Sequence, residues 1–82
     1  MKTVYKYKIG SGELQLPRGA KVLTAGIQGE DIFIWAEVDT EAVLEHRSFY
    51  VYGTGHLVPD RACYIGTVFD WNGFVWHVYE VV

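Results

Sequence analysis

The residues best equipped for chemistry lie in one stretch, Tyr52-Gly53-Thr54-Gly55-His56-Leu57-Val58-Pro59-Asp60. Glycines let the backbone take positive φ and approach a partner closely. Thr54, His56 and Asp60 bring a hydroxyl, an imidazole and a carboxylate to a place where a strand ladder must stop. As a binding loop, this stretch would receive an anionic or polar ligand on backbone N–H groups near Gly53 and Gly55, with Thr54 and His56 completing the contacts. As an ordinary irregular turn, its glycines would only solve geometry. It is not a phosphate-loop signature, because no lysine–hydroxyl pair follows the glycines.

His56 also has the chemistry of a general base, which would need an acid such as Asp60 or Asp70 to orient it. His46, His56 and His77 are too scattered to form a metal site by spacing. Cys63 is the single cysteine, which leaves no intrachain disulfide and no cysteine-based zinc site. No metal or cofactor is expected. Arg47 and Arg61 flank the loop, and a guanidinium matches phosphate or carboxylate with a planar fork. The plainer alternative pairs them with Asp60 or Glu45. Trp35, Trp71, Trp76, Tyr50, Tyr52 and Tyr64 have rings that stack on nucleobases, worth ~1–3 kcal/mol per base. On alternating strands such rings more often fill a core. Trp71, beside an Asn-Gly turn, and Tyr52, entering the glycine loop, are the least core-like.

These residues need strands to position them. Residues 3 to 9 alternate, with Thr3, Tyr5, Tyr7 and Ile9 on one face and lysines 2, 6 and 8 on the other, a wet face or a protected edge. Gly10-Ser11-Gly12 turns the chain into a short strand, Glu13 to Leu16, which Pro17-Arg18-Gly19 ends. Lys21 to Gln28 is predicted to present Leu23, Ala25 and Ile27 on one face and to turn tightly at Gly29-Glu30-Asp31. Ile32 to Val38 begins apolar on both faces, which predicts a central strand covered on both sides. Asp39 to Glu45 has capping and helix-forming residues for about one helical turn. His46 to Tyr52 sets Arg47, Phe49 and Val51 against Ser48, Tyr50 and Tyr52. Cys63 to Trp71 is interrupted at Gly66, where a bulge is expected. Asn72-Gly73 predicts a two-residue type I′ hairpin. Phe74 to Val82 is apolar on both faces, so it belongs in the middle of a sheet or at a subunit interface. Six or seven antiparallel strands result, mainly β, as a compact sandwich or partly open barrel.

With 82 residues, 50% of them hydrophobic and 16% aromatic, the chain is one small domain with more apolar surface than two layers easily hide. Homo-oligomerisation, with a dimer favoured, or a ligand groove would absorb the excess. A net charge of −3 argues against duplex nucleic acid as partner. The apolar neighbours of Cys63 predict a buried thiol suited to a reducing compartment. The first eight residues carry no apolar run of a signal peptide, and no run approaches a membrane span, which predicts a soluble cytoplasmic protein.

The chain resembles a family of very small phage and prophage proteins of unassigned function. The resemblance rests on Val4-Tyr5-Lys6-Tyr7, Leu16-Pro17-Arg18-Gly19-Ala20-Lys21-Val22-Leu23, Trp35-Ala36-Glu37-Val38-Asp39, Tyr52-Gly53-Thr54-Gly55-His56, Tyr64-Ile65-Gly66-Thr67 and Trp76-His77-Val78-Tyr79-Glu80. The Tyr-Gly-Thr-Gly-His block is the most specific part, and Leu57 stands where a proline is expected. The resemblance implies a phage accessory protein in the bacterial cytoplasm. Small phage proteins of this type include sponges, which sequester the nucleotide second messengers of bacterial immunity without cleaving them. The expected binding residues are Arg47, Tyr52, Gly53, Thr54, Gly55, His56, Arg61 and Trp71. Two other readings compete: a protein-interaction module that blocks a host factor, and a small hydrolase using His56.

Overall fold

The structure, a computed structural model, describes residues 1–10 and 12–82. Among these, seven strands form two antiparallel sheets: β1 Lys2–Lys8, β2 Glu13–Pro17, β3 Lys21–Gln28, β4 Asp31–Asp39, β5 Leu44–Gly53, β6 Ala62–Phe69 and β7 Val75–Val81. One sheet has the order β1-β4-β3 and the other β2-β5-β7-β6. The result is a sandwich, as the alternation predicts. Every second residue of β4, namely Ile34, Ala36 and Val38, is buried against Leu16, Phe49 and Val78 of the opposite sheet.

The sandwich closes at one corner, where β3 meets β6. A Cβ added to Gly66 would lie only 3.6 Å from Ala25, and both strands shift register there, between Val22 and Thr24 and between Tyr64 and Gly66. The bulge expected at Gly66 is present. The bulge in β3 corrects the predicted face: Val22, Ala25 and Ile27 point inward and Leu23 is turned out, 46% exposed, because one extra residue inverts the alternation beyond it. The apolar strand β7 lies in the middle of its sheet, between β5 and β6. β4 is central in its sheet, with only its inner side packed on the other sheet. Its outer rings are covered from within: Trp35 lies over Gly26 and the Lys6 ammonium over Phe33.

The turns follow glycine. Gly19, with φ +79°, takes the third position of a Pro17–Ala20 turn closed by Ala20 N–H to the Pro17 carbonyl, and Gly29, with φ +62°, opens the two-residue β3–β4 loop. Two expectations fail. Asp39 to Glu45 forms no helical turn. Asp39 accepts the Glu41 amide on its side chain and the Ala42 amide on its carbonyl, so the chain turns directly into β5. Asn72-Gly73 is not a type I′ turn, since only Gly73 has positive φ (+89°). The Gly73 amide bonds the Asp70 carbonyl and the Asp70 amide bonds the Phe74 carbonyl, which makes a three-residue loop with its glycine in the left-handed position. Cys63 is exposed, because it lies near the start of the edge strand β6. Ser11, within the expected Gly10-Ser11-Gly12 turn, lies outside the described residues. Among the described residues no helix is long and apolar enough to cross a membrane.

Candidate functional site

Gly53 ends β5 opposite Trp76 of β7, so the glycine loop and the β6–β7 hairpin meet at one end of the four-stranded sheet. Between them lies an open pocket of about 380 Å³ lined by Gly53, Thr54, His56, Gly73, Phe74, Val75 and Trp76. That is a volume of the order of a small-ligand site.

The loop side is a tight turn. The His56 amide donates to the Gly53 carbonyl at 3.0 Å, and Gly55 takes φ +91°, which makes glycine the natural residue there. The Gly53 amide in turn donates to His56 Nδ1 at 3.0 Å. A Cβ on Gly53 would stand 2.9 Å from that ring, so the bare glycine is what lets the imidazole fold back. A backbone N–H can only donate, so the neutral ring carries its hydrogen on Nε2. His56 is therefore a turn-closing group whose remaining donor is Nε2–H. The Gly53 amide is already used, which corrects the expectation that it receives an anion.

Thr54 is held from the other side. Its Oγ1 lies 2.9 Å from His77 Nε2, His77 Nδ1 lies 3.0 Å from Thr67 Oγ1, and Thr67 Oγ1 lies 2.7 Å from the Tyr64 hydroxyl. This relay crosses β6 and β7 on the outer face of the sheet, because Thr67 stands opposite His77 and Tyr64 opposite Tyr79. Both nitrogens of His77 are engaged, and the ring fixes the threonine that borders the pocket.

The hairpin side is built on Asp70. Its Oδ1 accepts the amides of Asn72 and Phe74, each at 2.9 Å, and its Oδ2 accepts the Trp76 indole N–H at 2.9 Å. The indole N–H, followed by the turn amides, holds this carboxyl below the usual range. Asp70 thus orients Trp76, not His56. The Phe74 and Trp76 rings, 6.0 Å apart, border the pocket.

Of the sequence-predicted residues, Gly53, Thr54 and His56 come together here. The other five do not line the pocket. Gly55 shapes the turn. Tyr52 points to the outer face, edge-on to Tyr79 at 5.7 Å. Trp71 stands at the hairpin tip, 72% exposed. Arg61 is exposed beyond the loop. Arg47 faces the interior: it forks onto Glu80 at 2.6 and 2.8 Å and donates to the Ala20 carbonyl at 2.6 Å, so its charge is committed to the fold. The sequence reading missed Phe74, Val75 and Gly73 as lining and His77 as the support of Thr54. The pairing of Gly53 with Trp76 reveals them, and it depends on strand order. The lining contains no lysine or arginine, and among the described residues no cluster of metal-ligating side chains occurs.

A family model matches residues 1–82, that of a domain of unknown function (DUF7352), and the chain belongs to that family. No curated protein and no solved structure matches it.

Proposed function

We propose that the protein is a non-catalytic binding protein that takes a small nucleotide-like ligand in the pocket between the glycine loop and the β6–β7 hairpin and sequesters it unchanged. The observation that carries this reading is the convergence of two neutral polar groups, Thr54 and the imidazole of His56 with its hydrogen on Nε2, with the rings of Phe74 and Trp76 around one pocket. Rings of this kind stack on a base, and a donor at the rim pairs with a base acceptor. The absence of a cation from the lining makes the base, and not the phosphate, the recognised part, so binding should depend only weakly on salt. A phage accessory role in the bacterial cytoplasm, with an immune second messenger as ligand, is the setting that the resemblance supplies. The hydrolase reading loses support: His56 Nδ1 accepts a backbone amide, both nitrogens of His77 bond threonine hydroxyls, and Asp70 is consumed by its own turn.

The test is a thermal-shift screen against nucleosides, cyclic dinucleotides, cyclic oligonucleotides and ADP-ribose derivatives, with each ligand recovered by heat release and weighed by mass spectrometry. A ligand at about 100 times its dissociation constant should add about 2.7 kcal/mol. A large shift with the ligand intact, abolished by Trp76→Ala, supports the proposal. No shift across the panel, or a ligand returned cleaved, rejects it. One observation favours a second reading, a protein-interaction module: Tyr64 and Phe69 on the outer face of the four-stranded sheet are 60% and 73% exposed. A stoichiometric partner captured from host lysate and lost on Tyr64→Ala would favour it.

A further inference from the structure

The four sheet edges are unequal. β3 and β6 are bulged and face each other at the closed corner. β2 has five residues and ends in Pro17. β1 is seven residues long, pairs in unbroken register with β4, and contains neither proline nor glycine. It is also clamped at both ends. The Met1 carbonyl accepts the Thr40 amide at 2.9 Å and its hydroxyl at 3.2 Å, and the Ile9 amide donates to Ile32 at 2.9 Å. A long, straight, pre-ordered edge is a template for another strand.

The ladder fixes which groups that edge offers. Met1–Thr40 and Ile9–Ile32 are hydrogen-bonded positions in a register where Tyr5 faces Ala36. Hydrogen-bonded positions alternate along an antiparallel pair, so Thr3, Tyr5 and Tyr7 bond β4, and Lys2, Val4, Lys6 and Lys8 point their N–H and C=O groups outward. Lysines usually guard such an edge, but these lie over their own sheet. Lys2 pairs with Glu37 and Lys8 with Asp31, each at 3.6 Å, and Lys6 donates to Gln28 at 2.8 Å above the Phe33 ring. On the core side of β1, Tyr5 stays 44% exposed and meets Tyr7 edge-on at 6.4 Å, so the aromatic row stops with no neighbour.

We propose that β1 is a homodimer interface, pairing antiparallel with β1 of a second copy about a twofold axis at Tyr5. This register is the one in which all four outward-facing residues find partners: Lys2 opposite Lys8 of the second copy and Val4 opposite Lys6. Tyr5 then meets its own equivalent at a position without hydrogen bonds, where side chains approach most closely. Lys2 and Lys8 of the second copy meet there as like charges, and each already has its own acid, Glu37 or Asp31, on the side away from the joint to offset the repulsion. The same register extends the core-side row as Thr3-Tyr5-Tyr7 from one copy and its reverse from the other.

The experiment is sedimentation velocity from about 1 µM to about 1 mM, on wild type and on Val4→Pro. That substitution removes an outward N–H, leaves the β4 ladder intact, and obstructs an incoming strand. The expected result is a concentration-dependent dimer that Val4→Pro weakens by at least about 100-fold. Because Val4→Pro can fail to fold, Tyr5→Cys and Thr3→Cys are each placed in a Cys63→Ser background and oxidised mildly. Tyr5→Cys should crosslink to a covalent dimer. Thr3→Cys should not, since its equivalent lies four residues away along the pair, beyond disulfide reach. A monomer across the whole range, a Val4→Pro dimer as tight as wild type, or equal crosslinking of the two cysteine variants overturns the proposal.

Discussion

The outer faces of the two sheets treat their aromatic residues in opposite ways. On the three-stranded sheet each ring is finished from within: Lys6 sits 4.7 Å from the centre of Phe33, Trp35 lies on Gly26, and Lys2 and Lys8 have acidic partners beside them. On the four-stranded sheet the rings meet each other, Tyr52 and Tyr64 both edge-on to Tyr79, and the polar groups form the neutral Tyr64–Thr67–His77–Thr54 relay. The only ion pair between β5 and β7, Arg47–Glu80, lies on the inner side, with side chains 18% and 16% exposed. A face whose charges and rings are already matched has little left to offer a partner. The neutral face keeps its rings and hydroxyls available, and its relay ends at the pocket.

The largest expected effect comes from the inner pair, which joins β5 to β7 beneath that neutral face. Glu80→Ala leaves the Arg47 guanidinium partly buried with only the Ala20 carbonyl, and should cost about 2–4 kcal/mol in urea unfolding. The Arg47→Ala, Glu80→Ala double variant should be less destabilised than the sum of the single ones. Additive losses would mean that the fork contributes nothing beyond two separate side chains. A smaller loss, about 1–2 kcal/mol, is expected for His77→Ala, which deprives Thr54 and Thr67 of their shared partner. Its diagnostic is local. The amide resonances of Thr54 and Gly55 should shift and broaden, and ligand affinity at the pocket should fall by more than stability does. If the loop resonances stay put, His77 is not what holds Thr54. On the other sheet, Lys2→Ala and Lys8→Ala should each stay within about 0.5 kcal/mol of wild type, because both pairs are exposed to solvent.

The sandwich was legible in the sequence because its signals are local. Alternation in β1, β4 and β5 and glycines at 19 and 29 act within a few residues. What escaped depends on contacts distant in sequence or on a side chain that overrides its turn. Arg47 finds Glu80 across 33 positions, so spacing gave no hint that its charge is spent. Leu23 faces out because β3 bulges where it meets β6, an event in the packing of two strands. Asn72-Gly73 carries the composition of a two-residue turn, yet the Asp70 carboxylate bonds the amides of Asn72 and Phe74 and favours the longer loop. The candidate site was half legible. Gly53, Thr54 and His56 stand together in sequence, and the aromatic wall they face arrives only through the β5–β7 register.

The smallest effect, and the one that sharpens the comparison most finely, is a pH dependence. Asp70 on the hairpin of the four-stranded sheet and Asp39 at the end of β4 both have lowered pKa values relative to 3.8, the first chiefly through the Trp76 indole and the second chiefly through the Glu41 amide. A carboxyl held below its unfolded value favours the folded chain in its ionised form. Its contribution is fully present above that unfolded value and is lost as pH falls through the lower folded one. Both turns should therefore weaken only in acid, and by little, since both groups meet solvent. They differ in what they hold. Protonating Asp70 frees the indole that borders the pocket, whereas protonating Asp39 frees the Glu41 amide of its own turn and the Met1 ammonium, neither of which touches the pocket. Acidification from about pH 5 to about pH 2 should shift the Trp76 indole N–H resonance before global unfolding. Asp70→Asn should flatten that response, and Asp39→Asn should leave it intact. An indole resonance that moves equally in both variants would detach Trp76 from Asp70, and with it the positioned ring on which the binding proposal depends.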